Sequence, residues 1–417
     1  MRVAHILRKY DPAEWGGTET AIERLMAGFA GRDIESIVYA PRLPAAITTA
    51  DPLAAAGCTV RRFRAFVPVW GISASRKRQM VAVGGNVMSF DLLRSLWREP
   101  GLDVIHSHAL GRLGAIGRAV ARERRLPFVL SVHGGAYDLP ATVRKELHRP
   151  VAGGWDWGKP LGLLLRARHL FSESDAIITV NEREAALIRE RHPGRRVYVQ
   201  PHGVPLALFA HDHRREAREA FPAICDRAVL LAPGRIDPVK NQDWLVAQVA
   251  ELAQRHPKIL LVSVGASTHR EYGEALATRI VREGLQHHVL LVGRLPPGDA
   301  RLLGLFQEAQ AVVLPSRSET FGLVILEAWA AGTPVISSRT SGAMALVDDG
   351  VNGLLFDLER PATFHAAMDR FLSQPQLRAA WGAAGRARVA AEFDTAALAE
   401  RMERFYADLI AQKKCTR

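Results

Sequence analysis

Short apolar runs rich in β-branched residues recur between helical stretches along all 417 residues. In the first half they fall at Val3–Leu7, Ser36–Ala40, Val104–Ser107, Phe128–Val132, Ala176–Val180 and Val197–Gln200. In the second half they fall at Val229–Ala232, Ile259–Gly265, Val289–Val292, Ala311–Leu314, Pro334–Ser337 and Leu354–Phe356. Strands that are apolar on both faces predict parallel sheets with helices on either side. Two such series in tandem predict an α/β chain of two Rossmann-like, doubly wound domains. The break falls at Pro201-His202-Gly203-Val204-Pro205, which can continue neither a helix nor a central strand. The domains expected are therefore 1–205 and 206–392.

Ligands of doubly wound sheets bind beyond the carboxyl ends of the strands. The residues to read there are Gly16-Gly17, His108, His133-Gly134-Gly135, Gly234-Arg235, Gly265, Gly293-Arg294 and Pro315 to Gly322. Two such edges facing one another would form a cleft with the hinge at its base.

Charge changes this picture more than composition does. The net charge is +12, and residues 1–205 hold 30 Lys and Arg against 19 Asp and Glu, while the rest are nearly balanced. A basic half attracts polyanions: nucleic acid, an anionic membrane face or phosphate-bearing substrates. A general arginine bias is the alternative, although it should reach both halves. Cys58, Cys225 and Cys415 are far apart and lack zinc-type spacing, so a reducing compartment is expected. Val3 to Leu7, followed by Arg8 and Lys9, is too short for a signal-peptide core. No run of about 18 apolar residues is present to suggest a transmembrane helix.

The densest constellation is Ser318-Glu319-Thr320-Phe321-Gly322-Leu323-Val324-Ile325-Leu326-Glu327-Ala328, where a strand feeds a loop and then an apolar helix. The first turn of that helix offers free N–H groups and partial positive charge, which suit a diphosphate. Glu319 precedes the helix and Glu327 lies inside it, so their carboxylates should stand roughly 9 Å or more apart. That is wide for an acid/base pair on one bond, which needs about 5 Å in a double displacement. It suits two carboxylates holding opposite ends of one extended ligand. Alone, Glu319 also reads as a cap acid and Glu327 as a buried, paired charge.

Gly234-Arg235-Ile236-Asp237-Pro238-Val239-Lys240-Asn241 follows the Val229–Ala232 strand. Gly234 permits a tight turn, while Arg235 and Lys240 supply a planar fork and a point charge for a departing diphosphate. A solvated surface pair is the alternative. Gly16 and Gly17 permit close backbone approach at the first helix, or mark an ordinary turn. His133 ends a strand before two glycines and is placed at the ligand edge; His108 reads equally as structural.

Together these residues resemble retaining GT-B glycosyltransferases of family 4, over most of the chain and most strongly in its second half. The E-x7-E signature of that family corresponds to Glu319 and Glu327. The resemblance implies that Glu319 binds donor-sugar hydroxyls, Glu327 the ribose, and Arg235 and Lys240 the donor diphosphate. It places the glycine-rich first loop on Gly16-Gly17 and the cleft histidine on His133, making His133, Arg235, Lys240 and Glu319 the catalytic set. Donor contacts extend to Gly234, Gly265, Arg294, Phe321, Gly322, Leu323 and Val324. His108, Tyr137, Asp138 and His202 fall on the acceptor side. The segment Phe393 to Ile410 looks like the final helix that crosses back onto the first domain. His202-Gly203-Val204 departs from the Asn-Gly-Val common among relatives, bringing an imidazole toward the cleft. No DXD metal motif precedes a strand end, and Asp348-Asp349-Gly350 is more simply a turn.

The resemblance implies hexosyl transfer from a nucleoside-diphosphate sugar to an acceptor hydroxyl, with retention and by front-face substitution. The acceptor expected is a lipid-linked or cell-surface polysaccharide precursor. No tightly bound cofactor and no metal requirement are expected. Phe66 to Ile72, Arg76-Lys77-Arg78 and Trp97-Arg98 mix apolar and basic side chains, as an anionic membrane contact would. The expected location is cytoplasmic, peripheral on the inner face of the plasma membrane. A sugar-nucleotide epimerase on the same fold is the rival enzyme. Nucleic-acid binding is the rival class, though no recognition-helix, RRM-like or basic-zipper pattern supports it.

Overall fold

The structure is a computed structural model and describes residues 1–12, 16–42, 51–82, 87–137 and 154–415. The chain divides into two compact units, Met1–His202 with Thr395–Arg417, and Gly203–Asp394. Both are parallel, doubly wound α/β units of the Rossmann kind.

The first unit contains strands β1 (Arg2–Ile6), β2 (Glu35–Pro41), β3 (Thr59–Phe63), β4 (Val69–Trp70), β5 (Val104–Ser107), β6 (Phe128–Val132), β7 (Trp155–Asp156), β8 (Ala176–Thr179) and β9 (Val197–Val199). Seven of them form one parallel sheet in the order β3-β2-β1-β5-β6-β8-β9, and β4 and β7 pair as a short antiparallel ribbon. Edge strand β3 was not among the expected strands. Its Arg61 and Arg62 break the apolar pattern, and only Phe63 is fully buried.

Side chains alternate across β1 as the pleat requires. Ala4 and Ile6 pack with Leu92, Leu96, Leu113 and Ile116 of the helices Phe90–Arg98 and Gly111–Glu123. Val3 and Leu7 pack on the other face with Ile22, Met26, Met402 and Phe405. Those four come from the helices Gly17–Gly28 and Thr395–Cys415, so the end of the chain closes one face of the first sheet. Gly28 permits the crossing, since a Cβ there would lie 2.8 Å from the Ala399 methyl. Polar contacts that hold that helix down include Arg32 with Glu403 at 2.9 Å, Gln200 donating to the Leu398 carbonyl at 3.0 Å, and Lys413 with Asp175 at 2.6 Å.

The second unit contains β10 (Ala228–Pro233), β11 (Ile259–Val264), β12 (Val289–Gly293), β13 (Ala311–Leu314), β14 (Val335–Ser338) and β15 (Gly353–Phe356). They form a parallel sheet in the order β12-β11-β10-β13-β14-β15. The helix Leu323–Ala330 is almost wholly apolar because it is covered by sheet and helix together. Trp329 is fully buried, donates to the Asn352 carbonyl at 2.9 Å, and is met by the helix Pro375–Glu392 at Gly385, where a Cβ would lie 2.2 Å from the indole. No helix among the described residues is long and apolar enough to cross a membrane.

Candidate functional site

In each sheet the winding reverses once, between β1 and β5 in the first unit and between β10 and β13 in the second. Loops leaving such a pair of strands diverge and open a ligand crevice at their carboxyl ends. Gly234 to Asn241 follows β10, and Pro315 to Gly322 follows β13, so the two densest motifs flank one switch point.

The two loops are tied together by backbone and buried amide groups. Arg317 N–H donates to the Val239 carbonyl at 2.8 Å, and the Asn241 amide donates to the Pro315 carbonyl at 3.2 Å. Buried Asp237 folds the first loop by accepting from the Val239 and Lys240 N–H groups at 2.8 and 3.1 Å. Gln242 donates to the Arg235 carbonyl at 2.8 Å. Across this frame the Lys240 ammonium donates to the Glu319 carboxylate, and both side chains are about four-fifths buried. Arg235 is half exposed and lies 3.4 Å from Asp237.

Glu319 is held from its other side as well. Its carbonyl accepts from the Gly342 N–H at 2.7 Å and the Ser341 hydroxyl at 3.2 Å. Gly322, at φ 97°, is the N-cap of the helix Leu323–Ala330 and supplies no side-chain cap. The helix therefore begins in a left-handed residue with its first N–H groups clear of a capping side chain, which suits an anion. Gly265 has φ 155° and a Cβ there would sit 2.0 Å from the Gly234 carbonyl, so the loops after β10 and β11 touch backbone to backbone. A lysine, a half-exposed arginine and a helix N-terminus thus gather at one switch point, a grouping of positive charge of the kind that suits an anion.

The remaining expected residues of this unit lie around that grouping in sequence and burial. Phe321 is buried, with its ring centroid 6.3 Å from that of Phe393; Leu323 and Val324 occupy the first helical turn, half-buried. Glu327 lies half-buried in the next turn, and Arg294 is exposed beyond β12.

At the switch point of the first unit the structure gathers histidines. His5 Nδ1 lies 3.2 Å from His108 Nε2, and His108 Nδ1 lies 2.8 Å from His133 Nε2. The His202 ring stacks on His133 at 5.3 Å between centroids. His106 is bonded at both nitrogens, to Tyr406 Oη and Ser131 Oγ, each at 2.6 Å. Burial pushes His5 down to about 3 and His133 down to about 4, and holds His106, His108 and His202 well below the usual imidazole range. All five are neutral at pH 7. His5, His106 and His108 have ring nitrogens within 4.8 Å of one another, as a metal site would. Binding one would require His106 to release Tyr406 or Ser131.

His133 directly follows β6 and precedes Gly134 and Gly135, both at positive φ, so the chain turns sharply beside the imidazole. The buried Glu184 carboxylate fixes that turn by accepting from the Gly135 and Tyr137 N–H groups at 3.0 and 2.9 Å. The Tyr137 hydroxyl reaches His192 at 3.0 Å. Asp138 lies outside the described residues. Gly16 is the N-cap of the first long helix with an ordinary extended φ of −129°, so backbone conformation does not require glycine there. His5, His106, Glu184, Asp237 and Tyr406 escaped the sequence reading. The His106-Ser107-His108 spacing was the one signal that could have drawn attention to the cluster.

Two parallel doubly wound units, with an acid and two cations grouped at one switch point, define the class of GT-B glycosyltransferases. Residues 15–208 match the family described as Glycosyltransferase Family 4, and residues 213–388 match Glycosyl transferases group 1. The chain belongs to this glycosyltransferase family.

Relatives match it over most of its length. It is 33% identical over 386 residues to the D-inositol 3-phosphate glycosyltransferase of Frankia alni, covering 89% of this chain and 90% of that one. It is 32% identical over 378 residues to D-inositol 3-phosphate glycosyltransferase 2 of Catenulispora acidiphila, covering 88% and 84%. The Anabaena protein HepE, solved with UDP and glucose, superposes with a TM-score of 0.72 at 20% identity over 98% of this chain and 99% of that one. Sucrose-phosphate synthase of Thermosynechococcus elongatus does so at 0.72 with 23% identity, over 99% of each chain. These two likenesses bear on the fold alone.

Proposed function

We propose that this protein is a retaining hexosyltransferase that takes its sugar from a nucleoside diphosphate bound by the second unit. The observation that carries the reading is the Lys240–Glu319 pair at the β10/β13 switch point, beside an uncapped helix start. Glu319 accepts from sugar hydroxyls, Glu327 from the ribose, and Lys240, Arg235 and the helix N–H groups face the diphosphate. UDP is the favoured nucleotide, because HepE and other structures of this fold were solved with UDP or UDP-glucose.

The chemistry is a substitution at the anomeric carbon. Its bond to the diphosphate oxygen breaks, and the electron pair leaves with that oxygen. Charge developing there meets groups already in place, which lowers the barrier without reorganisation. The acceptor oxygen bonds to the anomeric carbon from the face the diphosphate leaves, and its proton passes to the departing phosphate oxygen. In this reading two cations and a helix end neutralise the leaving group, so chelation of divalent cations leaves the rate unaltered.

The first unit holds the acceptor. Its basic excess favours an acceptor bearing phosphate: a lipid-linked precursor at the inner membrane face, or a phosphorylated polyol such as the relatives' names describe. UDP release from UDP-glucose, with D-inositol 3-phosphate or a lipid diphosphate saccharide as acceptor, separates these two. Proton NMR of the product's anomeric centre tests retention, and an inverted centre sinks the mechanism. Turnover of donor to an epimer without acceptor would instead support the epimerase.

A further inference from the structure

The first unit holds a cavity of about 640 Å³ that the transfer chemistry does not use. It is lined by Phe128 at the start of β6, Asp175 just before β8, Arg195 shortly before β9, the helix Gly111–Glu123 and Lys413 near the end of the last helix. The strands are parallel, so this is the amino edge of the sheet, opposite the edge that carries His133. At about 3.3 Å per residue, β6 alone separates Phe128 from His133 by roughly 15 Å. Ligands of the doubly wound fold itself bind at the carboxyl edge.

Five cations line the cavity, Arg118, Arg122, Arg125, Arg195 and Lys413, against two acids, Glu173 and Asp175. Both acids are already committed. Glu173 divides its oxygens between Arg118 and Arg166, while Asp175 accepts from Lys413 at 2.6 Å and from the Phe128 N–H at 2.8 Å. Arg118 is the group that marks a ligand site. It is only 6% exposed, donates to Glu173 and to the Leu165 carbonyl at 3.1 Å, and keeps a buried Nε–H with no partner among the described residues. Burial holds its guanidinium below the ordinary range, Glu173 pulls it back, and Arg122 and Arg166 press it down again. An unmade buried donor is costly, and an anion on this wall supplies the missing acceptor and the missing negative charge. Leu126 and Phe128 add apolar surface, and the volume lies within the roughly 300–1,000 Å³ of small-molecule sites.

We propose that this cavity is a second binding site, for a small soluble anion of the phosphate-ester class, separate from the site of glycosyl transfer and independent of that reading. Guanidinium groups suit such a ligand because each offers paired N–H donors to phosphate oxygens. The ligand bridges Arg122 of one helix, Arg195 of the loop before β9 and the Lys413 end of the closing helix, which are far apart in sequence. Binding therefore ties the end of the chain to the sheet and stabilises the first unit by mass action.

The test titrates inorganic pyrophosphate calorimetrically into the full chain carrying Lys240→Ala, which removes the lysine proposed to face the donor diphosphate. Saturable binding at one site is expected. Adding Arg122→Gln with Arg195→Gln, both at exposed positions, should weaken it at least about tenfold. Arg118 is left in place, because its bonds to Glu173 and Leu165 hold the wall. Arg401→Gln with Arg404→Gln removes the same charge from exposed positions of the same unit and should leave binding unchanged. Pyrophosphate should also raise the urea midpoint of the Lys240→Ala chain and not that of the Arg122/Arg195 variant. No saturable binding, or equal weakening by the two arginine pairs, overturns the proposal. So does sedimentation with phosphatidylglycerol vesicles that depends on Arg122 and Arg195 while pyrophosphate fails to bind, since the cations then face a lipid surface.

Discussion

The Lys240 ammonium rests on the Glu319 carboxylate although 79 residues separate them in the chain. Two unrelated loops thus share one charge pair, and each side chain holds the other in place until a ligand arrives. Lys240→Ala should lower kcat/KM by about 10²–10³, the loss expected when one preorganised group at a developing charge is removed. Glu319→Ala should do the same by releasing the sugar. The double variant should lose less than the sum of the two, which a double-mutant cycle on UDP release will show.

Gly342 backs the same loop from behind. A Cβ there would lie 2.7 Å from the Phe321 nitrogen and 2.8 Å from the Glu319 carbonyl. Gly342→Ala should push the Glu319 carbonyl away, weakening UDP-glucose binding at least about tenfold while costing about 1–3 kcal/mol of stability. Calorimetric titration beside urea unfolding measures both.

The buried histidines make stability depend on pH with a defined sign. His5 and His133 bind protons more weakly in the native state than in the unfolded chain, so the unfolded state holds more protons in acid. Their contribution is complete above roughly pH 6.5 and is lost as pH falls toward about 4 for His133 and about 3 for His5. At pH 5 the loss from His5 alone is about 2 kcal/mol. Urea midpoints at pH 7.5 and 5.0 should show this fall, with a shallower slope in His5→Phe; a chain more stable at pH 5 would contradict it.

A membrane contact predicts a different readout. Trp70 and Trp155 pair across the β4–β7 ribbon with centroids 5.2 Å apart, and both rings are mostly exposed, as are Leu163 and Leu164 just beyond. Lys159, Arg166 and Arg168 are exposed on the same stretch of chain. Apolar rings among cations suit an anionic interface. Phosphatidylglycerol vesicles should sediment the protein, and Trp70→Ser with Leu163→Ser should cut the bound fraction at least about fivefold. Equal sedimentation with neutral vesicles would argue against the contact.

Much of the architecture was legible because parallel strands buried on both faces leave continuous apolar runs, and Leu323–Ala330 is buried nearly all round. Strand β3 was not, since an edge strand tolerates arginines, nor was the β4–β7 ribbon, whose strands have two residues each. Glu319, Lys240 and Gly322 stood out because a motif concentrates them in sequence. Asp237 and Glu184 did not, because a carboxylate that holds a loop looks like any surface acid until its N–H partners fold around it. The histidine series was hidden for a further reason: His5, His108 and His133 come from three different strands or strand ends, and only strand order β1-β5-β6 brings them together.

On the proposed reading the second unit binds a sugar nucleotide through the Lys240–Glu319 pair. Titration calorimetry of UDP-, GDP- and ADP-glucose into the full chain, repeated with Lys240→Ala, tests it most directly. One nucleotide should bind saturably with unit stoichiometry, and Lys240→Ala should weaken it at least about 100-fold. No binding of any of the three, or binding indifferent to Lys240→Ala, would contradict the claim.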